Sequence, residues 1–316
     1  MSETIANYTV PEHHVKMFTD NVQRKLTKMG SNLSAYVSTS SYRGERAQAV
    51  NFLGPAEFTE RVTPYQDTEF SQLEHTSRWI LGREYDCTIP IDRLDTLKMI
   101  YDPTSPYVQR MYEAAARKMD EIIVEAFFAK AKTGKNGTTD TAFKTANTVP
   151  HSASGLTIGK LRETRKLMKK RHVPLGQMRA FIAVTADEID DMLASAEATP
   201  AAGTGASAVS YDFNSVRPLV DGEISSFMGF TFVPYEDSAL TTEGKSLPRV
   251  TGATTTQRYL PVWVPDGMHF GTWQNLTITI STRPDKNNIK QAHATFTIGA
   301  TRLEEDQVFR IESQFA

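Results

Sequence analysis

Apolar residues recur at three- and four-residue steps through residues 105–132, SPYVQRMYEAAARKMDEIIVEAFFAKAK. This spacing predicts an amphipathic helix about seven turns and roughly 40 Å long. Ser105 suits the N-cap, Pro106 suits the first helical position, and Gly134 follows the end as a stop signal. The apolar positions are Val108, Met111, Tyr112, Ala115, Met119, Ile122, Ile123, Ala126 and Phe127. A capped helix of this length is expected to act as a spine.

Residues 46–92 carry a different pattern, with β-branched and aromatic residues in partial alternation and Gly or Pro between the segments. The segments are RAQAVNFL, EFTERVTPY, TSRWILGREY and DCTIPID. They predict the strands of one long, two-stranded excursion. Because an isolated two-stranded ribbon is marginally stable in water, we expect this excursion to lie on another chain.

The rest of the chain mixes helical and extended patterns, so the predicted fold class is α+β. Thr185, with Glu188 three residues later, predicts a capping box at the start of one helix. Predicted helices cover residues 11–29, 157–172 and 187–196. Predicted strands cover residues 179–184, 230–235, 259–264, 268–273, 276–281, 292–298 and 307–311, with a tight turn at Gly299. We expect the C-terminal strands to pack on the long helix.

The composition is typical of a folded protein and argues against disulfide-linked, secreted and membrane-spanning classes. The 316 residues are 40% hydrophobic, enough for a sizeable core, and the formal net charge of −2 gives no global attraction for polyanions. Cys87 is the single cysteine, which excludes an internal disulfide and a thiolate metal site and fits a reducing, cytosolic origin. The sequence contains no run of 18 apolar residues, so it predicts no membrane-spanning helix. The N-terminal residues lack the pattern of a signal peptide.

The sequence carries no recognisable catalytic motif. No Gly-x-Ser-x-Gly elbow is present, and the histidines are scattered singly. The acidic groups at 187–191 and 304–306 are adjacent in sequence, so we interpret them as solvated or ion-paired, without convergence on a metal. We therefore expect a protein that is not an enzyme and that holds no cofactor and no metal.

The helix predicted at residues 157–172 is strongly basic. A solvated amphipathic helix is the default interpretation, and contact with a polyanion or an acidic partner is the alternative. The candidate residues for contact with DNA or a scaffold are Lys160, Arg165, Lys166, Lys169, Lys170 and Arg171.

Two stretches, PYVQRMYEAAARKMDE and GATRLEEDQVFRI, together with the order of elements, resemble the major capsid proteins of tailed bacteriophages, which have the HK97-type fold. The resemblance implies five segments. They are an N-terminal arm (1–45), an extended β-hairpin loop (46–92), a peripheral domain with the spine helix at 105–132 (93–155), an axial domain (156–282) and peripheral C-terminal strands (283–316). It also implies assembly into pentamers and hexamers of an icosahedral shell that encloses double-stranded DNA.

Assembly would then rest on contacts between copies made by the loop and the arm. In the loop, the candidate residues are Glu57, Phe58, Glu60, Arg61, Val62, Tyr65, Asp67, Glu69, Phe70, Arg78, Trp79 and Arg83. In the arm, they are Phe18, Val22 and Leu26. The aromatic and aliphatic members would dock on the neighbour, and the charged members would set the register through ion pairs.

The resemblance also implies partners and a location. Some members of the family cross-link subunits through a lysine in the loop, but no lysine lies between Lys28 and Lys98, so we expect no such cross-link here. Only about 45 residues precede the loop, which predicts a separate scaffolding protein. A portal protein, a decoration protein and weak, non-specific contact with DNA complete the expected partners. The location would be the virion, after assembly in the cytoplasm of a host bacterium.

Two other functions remain open from the sequence. One is the shell of an encapsulin-like cellular nanocompartment with the same fold, which would enclose an enzyme instead of a genome. The other is an α+β enzyme whose catalytic site is not legible in the sequence. Copurified cargo enzymes would favour the first, and a deep pocket with convergent histidines and carboxylates would favour the second.

Overall fold

The computed structural model describes residues 31–56, 73–91, 104–150, 154–176, 178–197, 226–235 and 257–314, with single positions 58, 60, 63, 67 and 70. The described helices are α1 (Thr104–Phe128), α2 (Ile158–Lys170) and α3 (Ala186–Glu197). Three sheets accompany them, which confirms the α+β class. No helix of the described ranges is long and apolar enough to cross a bilayer.

The first sheet, which we name the spine sheet, has the order β1-β12-β13-β4. Its strands are β1 (Ser38–Ser41), β4 (Arg83–Ile91), β12 (Met268–Arg283) and β13 (Ile289–Arg302). β12 pairs parallel with β1 and antiparallel with β13, which pairs antiparallel with β4. Met111 of α1 packs against Ala292 and Ala294 of β13. The prediction that the spine helix packs on the C-terminal strands is therefore confirmed.

The second sheet has six strands in the order β7-β14-β11-β8-β10-β9. They are β7 (Thr148–Val149), β8 (Ala180–Val184), β9 (Ser226–Phe227), β10 (Phe230–Pro234), β11 (Gln257–Trp263) and β14 (Val308–Gln314). All five residues of β8 are buried. Trp263 lies at the centre of the core, where its ring centroid is 4.8 Å from that of Phe127 and its indole N–H donates to the carbonyl of Tyr36 at 2.9 Å.

The third sheet, which we name the hairpin sheet, has the order β2-β3-β5-β6. Its strands are β2 (Arg46–Leu53), β3 (His75–Leu81), β5 (Ala131–Thr133) and β6 (Thr139–Thr141). β2 coincides with the predicted segment RAQAVNFL. Within the segment 46–92, the last nine described residues form β4 and pair with β13 of the spine sheet.

Helix α1 ends at Phe128, four residues before the predicted end. Arg302 Nη1 donates to the carbonyl of Phe127 in the last turn at 2.6 Å and to that of Ala129, just after the helix, at 2.9 Å, so it helps to cap the C-terminal end. The chain then enters β5, and Gly134, with φ +86°, lies in the turn before β6. The prediction of Gly134 as the helix stop was therefore wrong.

Two other local predictions were wrong for tertiary reasons. Residues 268–273 and 276–281 belong to one strand, β12, whose register shifts accommodate the polar residues between them. β13 runs straight through Gly299, where a turn was expected. A Cβ at this position would lie 2.2 Å from the carbonyl oxygen of Leu81, so the glycine permits close approach of the hairpin sheet.

The sheets cross the segment boundaries that the resemblance implied. The boundary at residue 282 falls inside β12, and β14, assigned to the peripheral strands, pairs with β11 of the axial segment over seven residues. The capping box predicted for α3 is confirmed: the backbone N–H of Thr185 donates to Glu188 Oε2 at 3.0 Å.

The described end of the arm is fastened to the subunit at two places. The carboxylate of Asp120 on α1 accepts hydrogen bonds from Ser31 Oγ at 2.6 Å and from the backbone N–H of Leu33 at 3.1 Å. β1 then adds to β12, with Ser38 opposite His269. The helix predicted at residues 11–29 lies outside the described residues.

Replacing Arg302 should destabilise the fold strongly. Its side chain is fully buried and also donates to Glu305 Oε2 at 2.8 Å. We expect Arg302→Met to lower the free energy of unfolding by about 3–5 kcal/mol, since it removes one partner of a buried ion pair and leaves the carbonyls of α1 without a donor. Urea unfolding of the unassembled chain measures the loss. Arg283→Met, which breaks the exposed pair with Asp285, is the matched control and should change stability little.

Low pH should weaken the contact between β1 and β12 and so lower the free energy of unfolding. Ser38 Oγ donates to the carbonyl of Met268 and so accepts from His269 Nδ1 at 2.9 Å, while the Tyr42 hydroxyl donates to His269 Nε2 at 2.7 Å. In the neutral imidazole this arrangement places the proton on Nδ1 and makes Nε2 the acceptor. Burial lowers the pKa of His269 from its ordinary value of 6.5.

The folded chain therefore binds this proton less readily than the unfolded chain. The stability that His269 contributes is fully present above pH 6.5 and is lost as the pH falls through the lowered pKa. We expect His269→Gln to show a smaller drop in the free energy of unfolding between pH 7.5 and pH 5. His293→Gln, whose imidazole lies on the polar face beside Thr88, should retain the drop of the parent chain. Equal drops in all three chains would contradict the assignment.

Candidate functional site

The connection between β2 and β3 presents large apolar side chains to solvent. Phe58 is fully exposed and Phe70 is 91% exposed, while Leu53 and Leu73 are exposed where the strands end. Burying one such side chain contributes about 1.5–3 kcal/mol. The sequence identified the two phenylalanines but missed the two leucines. Their position beside the Gly54-Pro55 break and the end of the loop was the available signal.

The other loop candidates fall into three groups: exposed charged residues, residues outside the described ranges, and side chains held within the subunit. Glu60 and Asp67 are exposed beside the phenylalanines, and Arg83 is exposed on β4, opposite Ile298 of β13. Five further candidates of the loop lie outside the described residues: Glu57, Arg61, Val62, Tyr65 and Glu69. The arm candidates Phe18, Val22 and Leu26 lie outside them as well.

Arg78 is held inside its own subunit, so its assignment to a neighbour is corrected. It is buried, its Nε donates to the carbonyl of Leu303 at 2.7 Å, and its Nη2 pairs with Glu305 Oε1 at 3.0 Å. Burial lowers the pKa of its guanidinium, and the charge of Glu305 opposes that shift. Trp79 is half-buried and its indole N–H donates to the carbonyl of Gly134 at 2.7 Å. Both residues hold the base of the hairpin to the subunit.

Three of the six basic candidates on and beside α2 bind groups of their own subunit. Lys160 is buried, and its Nζ donates to the carbonyls of Ser154, Gly155 and Glu312 at 2.6, 2.8 and 3.0 Å. Burial lowers the pKa of its ammonium to about 8. Lys160 therefore ties α2 to β14 and is corrected as a contact for DNA or a scaffold.

The other two cations with partners inside the chain fix the middle and the C-terminal end of the helix. Arg165 donates to the carbonyl of Met228 in the turn between β9 and β10. Arg171, at the C-cap of α2, lies 3.5 Å from Asp306, which also accepts from Lys144 at 2.7 Å. Both arginines are half-buried. These contacts determine which face of α2 points to solvent.

The exposed face of α2 carries the remaining cations. Lys166, Lys169 and Lys170 are exposed, and Arg162, which was not among the predicted contacts, is exposed one turn earlier. Together with the half-buried Arg165 they line one open depression, whose lining contains no acidic and no apolar residue. We name these four exposed residues the cationic stripe. The signal for Arg162 was its i, i+4 relation to Lys166.

The described residues contain no group of three or more His, Cys, Asp or Glu side chains placed to hold a metal ion. The buried acid Glu188 lies 3.6 Å from Arg258 Nε and accepts from Thr185, and burial raises the pKa of its carboxyl. Glu305 and Asp306 pair with arginines and a lysine, as expected for acids adjacent in sequence. These groups stabilise the fold and do not converge on an open cavity.

Comparisons with known proteins agree with this architecture. A family model described as phage capsid protein matches residues 10–314. No curated protein sequence matches the chain. Among solved structures, the capsid of Cyanophage Pam1 superposes with a TM-score of 0.69 at 11% identity, covering 99% of this chain and 100% of that one.

Two further capsid structures superpose on the chain to a similar extent. The capsid of Cyanophage P-SCSP1u gives a TM-score of 0.67 at 13% identity and covers 96% of this chain and 94% of its own. The capsid of a native GTA particle superposes with a TM-score of 0.64 at 11% identity, and the match covers 99% of this chain and 100% of that one. At these identities the structures show a shared fold, and the family model covers nearly the whole sequence. The chain therefore belongs to the phage capsid protein family and has the HK97-type fold of phage capsid subunits.

Proposed function

We propose that the chain is the major capsid protein of a tailed phage. It assembles into pentamers and hexamers of an icosahedral shell that encloses double-stranded DNA. Membership of the capsid family supports the coarse function. The observation that carries the mechanism is the hairpin, whose phenylalanines stand in solvent at positions 58 and 70.

The energetics of one subunit support assembly through this hairpin. Arg78 and Trp79 hold its base rigidly, so the entropy cost of placing its exposed tip on a neighbour is reduced. The exposed phenylalanines would supply the apolar centre of the contact, and Glu60 and Asp67 would supply part of its polar rim. Many copies of one such contact, related by symmetry, give a shell from individually weak interactions.

The proposed partners follow from the same function. A separate scaffolding protein would guide curvature, a portal protein would occupy one vertex, and a decoration protein could bind the finished shell. Assembly would take place in the cytoplasm of the host, and the product would be the virion capsid. We further propose that the chain has no catalytic function, because its shifted titratable groups, such as Lys160 and Glu188, are engaged in structural contacts.

Removing the exposed phenylalanines should separate folding from assembly. We expect Phe58→Ser with Phe70→Ser to leave the free energy of unfolding of the unassembled chain nearly unchanged, since neither side chain is buried within the subunit. The same variant should form no closed shells under conditions in which the parent chain does. Light scattering and electron microscopy measure assembly, and urea unfolding measures stability.

Ile280→Ser provides the control, because Ile280 is also a large, half-exposed hydrophobic residue but lies on β12 and not on the hairpin. It should assemble like the parent chain. A parent chain that stays monomeric with and without its scaffold would refute the proposed function. Particles that contain an enzyme instead of DNA would replace it with the nanocompartment.

A further inference from the structure

The residues of the cationic stripe are regularly spaced along one face of α2. Arg162, Lys166 and Lys170 succeed one another at four-residue steps, so their backbone positions repeat about every 6 Å along one face of α2. Lys169 lies beside Lys170 at the C-terminal end. The stripe therefore presents four positive charges over about 12 Å of helix.

The orientation of the stripe is set by the chain itself. Thr157 caps the start of α2, Lys160 binds three carbonyls beneath it, and Arg171 is paired with Asp306 at the other end. No ion pair described within the chain uses any of the four stripe residues. Their charges are thus held together on a fixed helix face, where Glu163 is the one exposed acid of the described helix.

The character of the surface distinguishes between two kinds of anionic partner. Protein interfaces usually have an apolar centre with aromatic or aliphatic anchors. The depression along the stripe is lined by arginines and lysines alone. Contact with a phosphodiester backbone needs only cations, since it is electrostatic and independent of sequence. B-DNA carries one phosphate per about 1.7 Å of its axis, so a stripe of this length meets several.

We propose that the cationic stripe, Arg162, Lys166, Lys169 and Lys170, binds the phosphate backbone of the packaged double-stranded DNA. The proposal rests on the function proposed above. Four point contacts, without base readout or apolar anchors, give binding that is weak per subunit, salt-dependent and indifferent to sequence. The net charge of −2 for the whole chain makes such a local stripe necessary for any attraction to DNA.

The test measures binding of the full-length chain to a fluorescent 30-base-pair duplex at several salt concentrations. The variant is Arg162→Gln, Lys166→Gln, Lys169→Gln and Lys170→Gln combined. Because each neutralised phosphate contributes about 0.9 to the slope of log affinity against log salt, we expect the magnitude of the slope to fall by about 3.6 for four contacts. Affinity at 50 mM salt should fall at least about tenfold.

A matched control changes four exposed lysines elsewhere and removes the same total charge. They are Lys130, Lys135, Lys286 and Lys290, all replaced by Gln. This control should bind the duplex within about twofold of the parent chain if the stripe carries the contact. Equal losses in the two variants would overturn the proposal, because binding would then follow net charge alone.

A polyglutamate peptide of equal charge distinguishes the second kind of partner. If the peptide binds the stripe more tightly than the duplex does, an acidic protein segment is the partner and the proposal is overturned. Shell formation is scored separately by electron microscopy. A stripe variant that forms normal shells but binds DNA like its parent refutes only the DNA contact. A parent chain that never assembles refutes the proposed function.

Discussion

The structure depends on one buried cation. Arg302 brings a full positive charge into the interior, where it is tolerable only if its donors are satisfied and its charge is balanced. Its Nη1 caps the end of α1 through Phe127 and Ala129, and its Nε pairs with Glu305, which also holds Arg78 at the base of the hairpin. One residue thus joins the spine helix, the spine sheet and the hairpin sheet. If any of these elements shifted, a buried charge would lose its partner.

This arrangement explains how the folded subunit can leave large apolar side chains and a row of cations exposed to solvent. The stability of the chain comes from the six-stranded sheet, from the contact of α1 with β13 and from the polar cluster around Arg302. The hairpin contributes little to the core beyond its base, so its tip is free to carry phenylalanines in solvent. The same principle governs α2, where buried or half-buried cations set the orientation of the helix and leave the others for contacts outside the chain.

Local patterns predicted the elements whose determinants lie within a few residues. The alternation of β2, the capping box at Thr185 and Glu188, and the amphipathic stripe of α1 were all legible, because each reflects a neighbour at fixed spacing. The end of α1 was misplaced, since the donor that caps it lies 175 residues away. Gly299 was misread as a turn, because the reason for its small size is the backbone of Leu81 on another strand.

For the candidate sites, the amino-acid pattern showed which residue types were available: aromatic and acidic residues in the loop, and a cluster of cations on one helix. It also determined the family, through the order of elements and two short stretches. Which of these side chains face outward depends on packing between segments that are distant in sequence. Arg78 and Lys160 look like surface cations in a linear pattern, but both are buried against carbonyls that lie far away in the sequence. The side of a helix or strand that faces solvent is set by what packs on the other side, and that partner is remote in sequence.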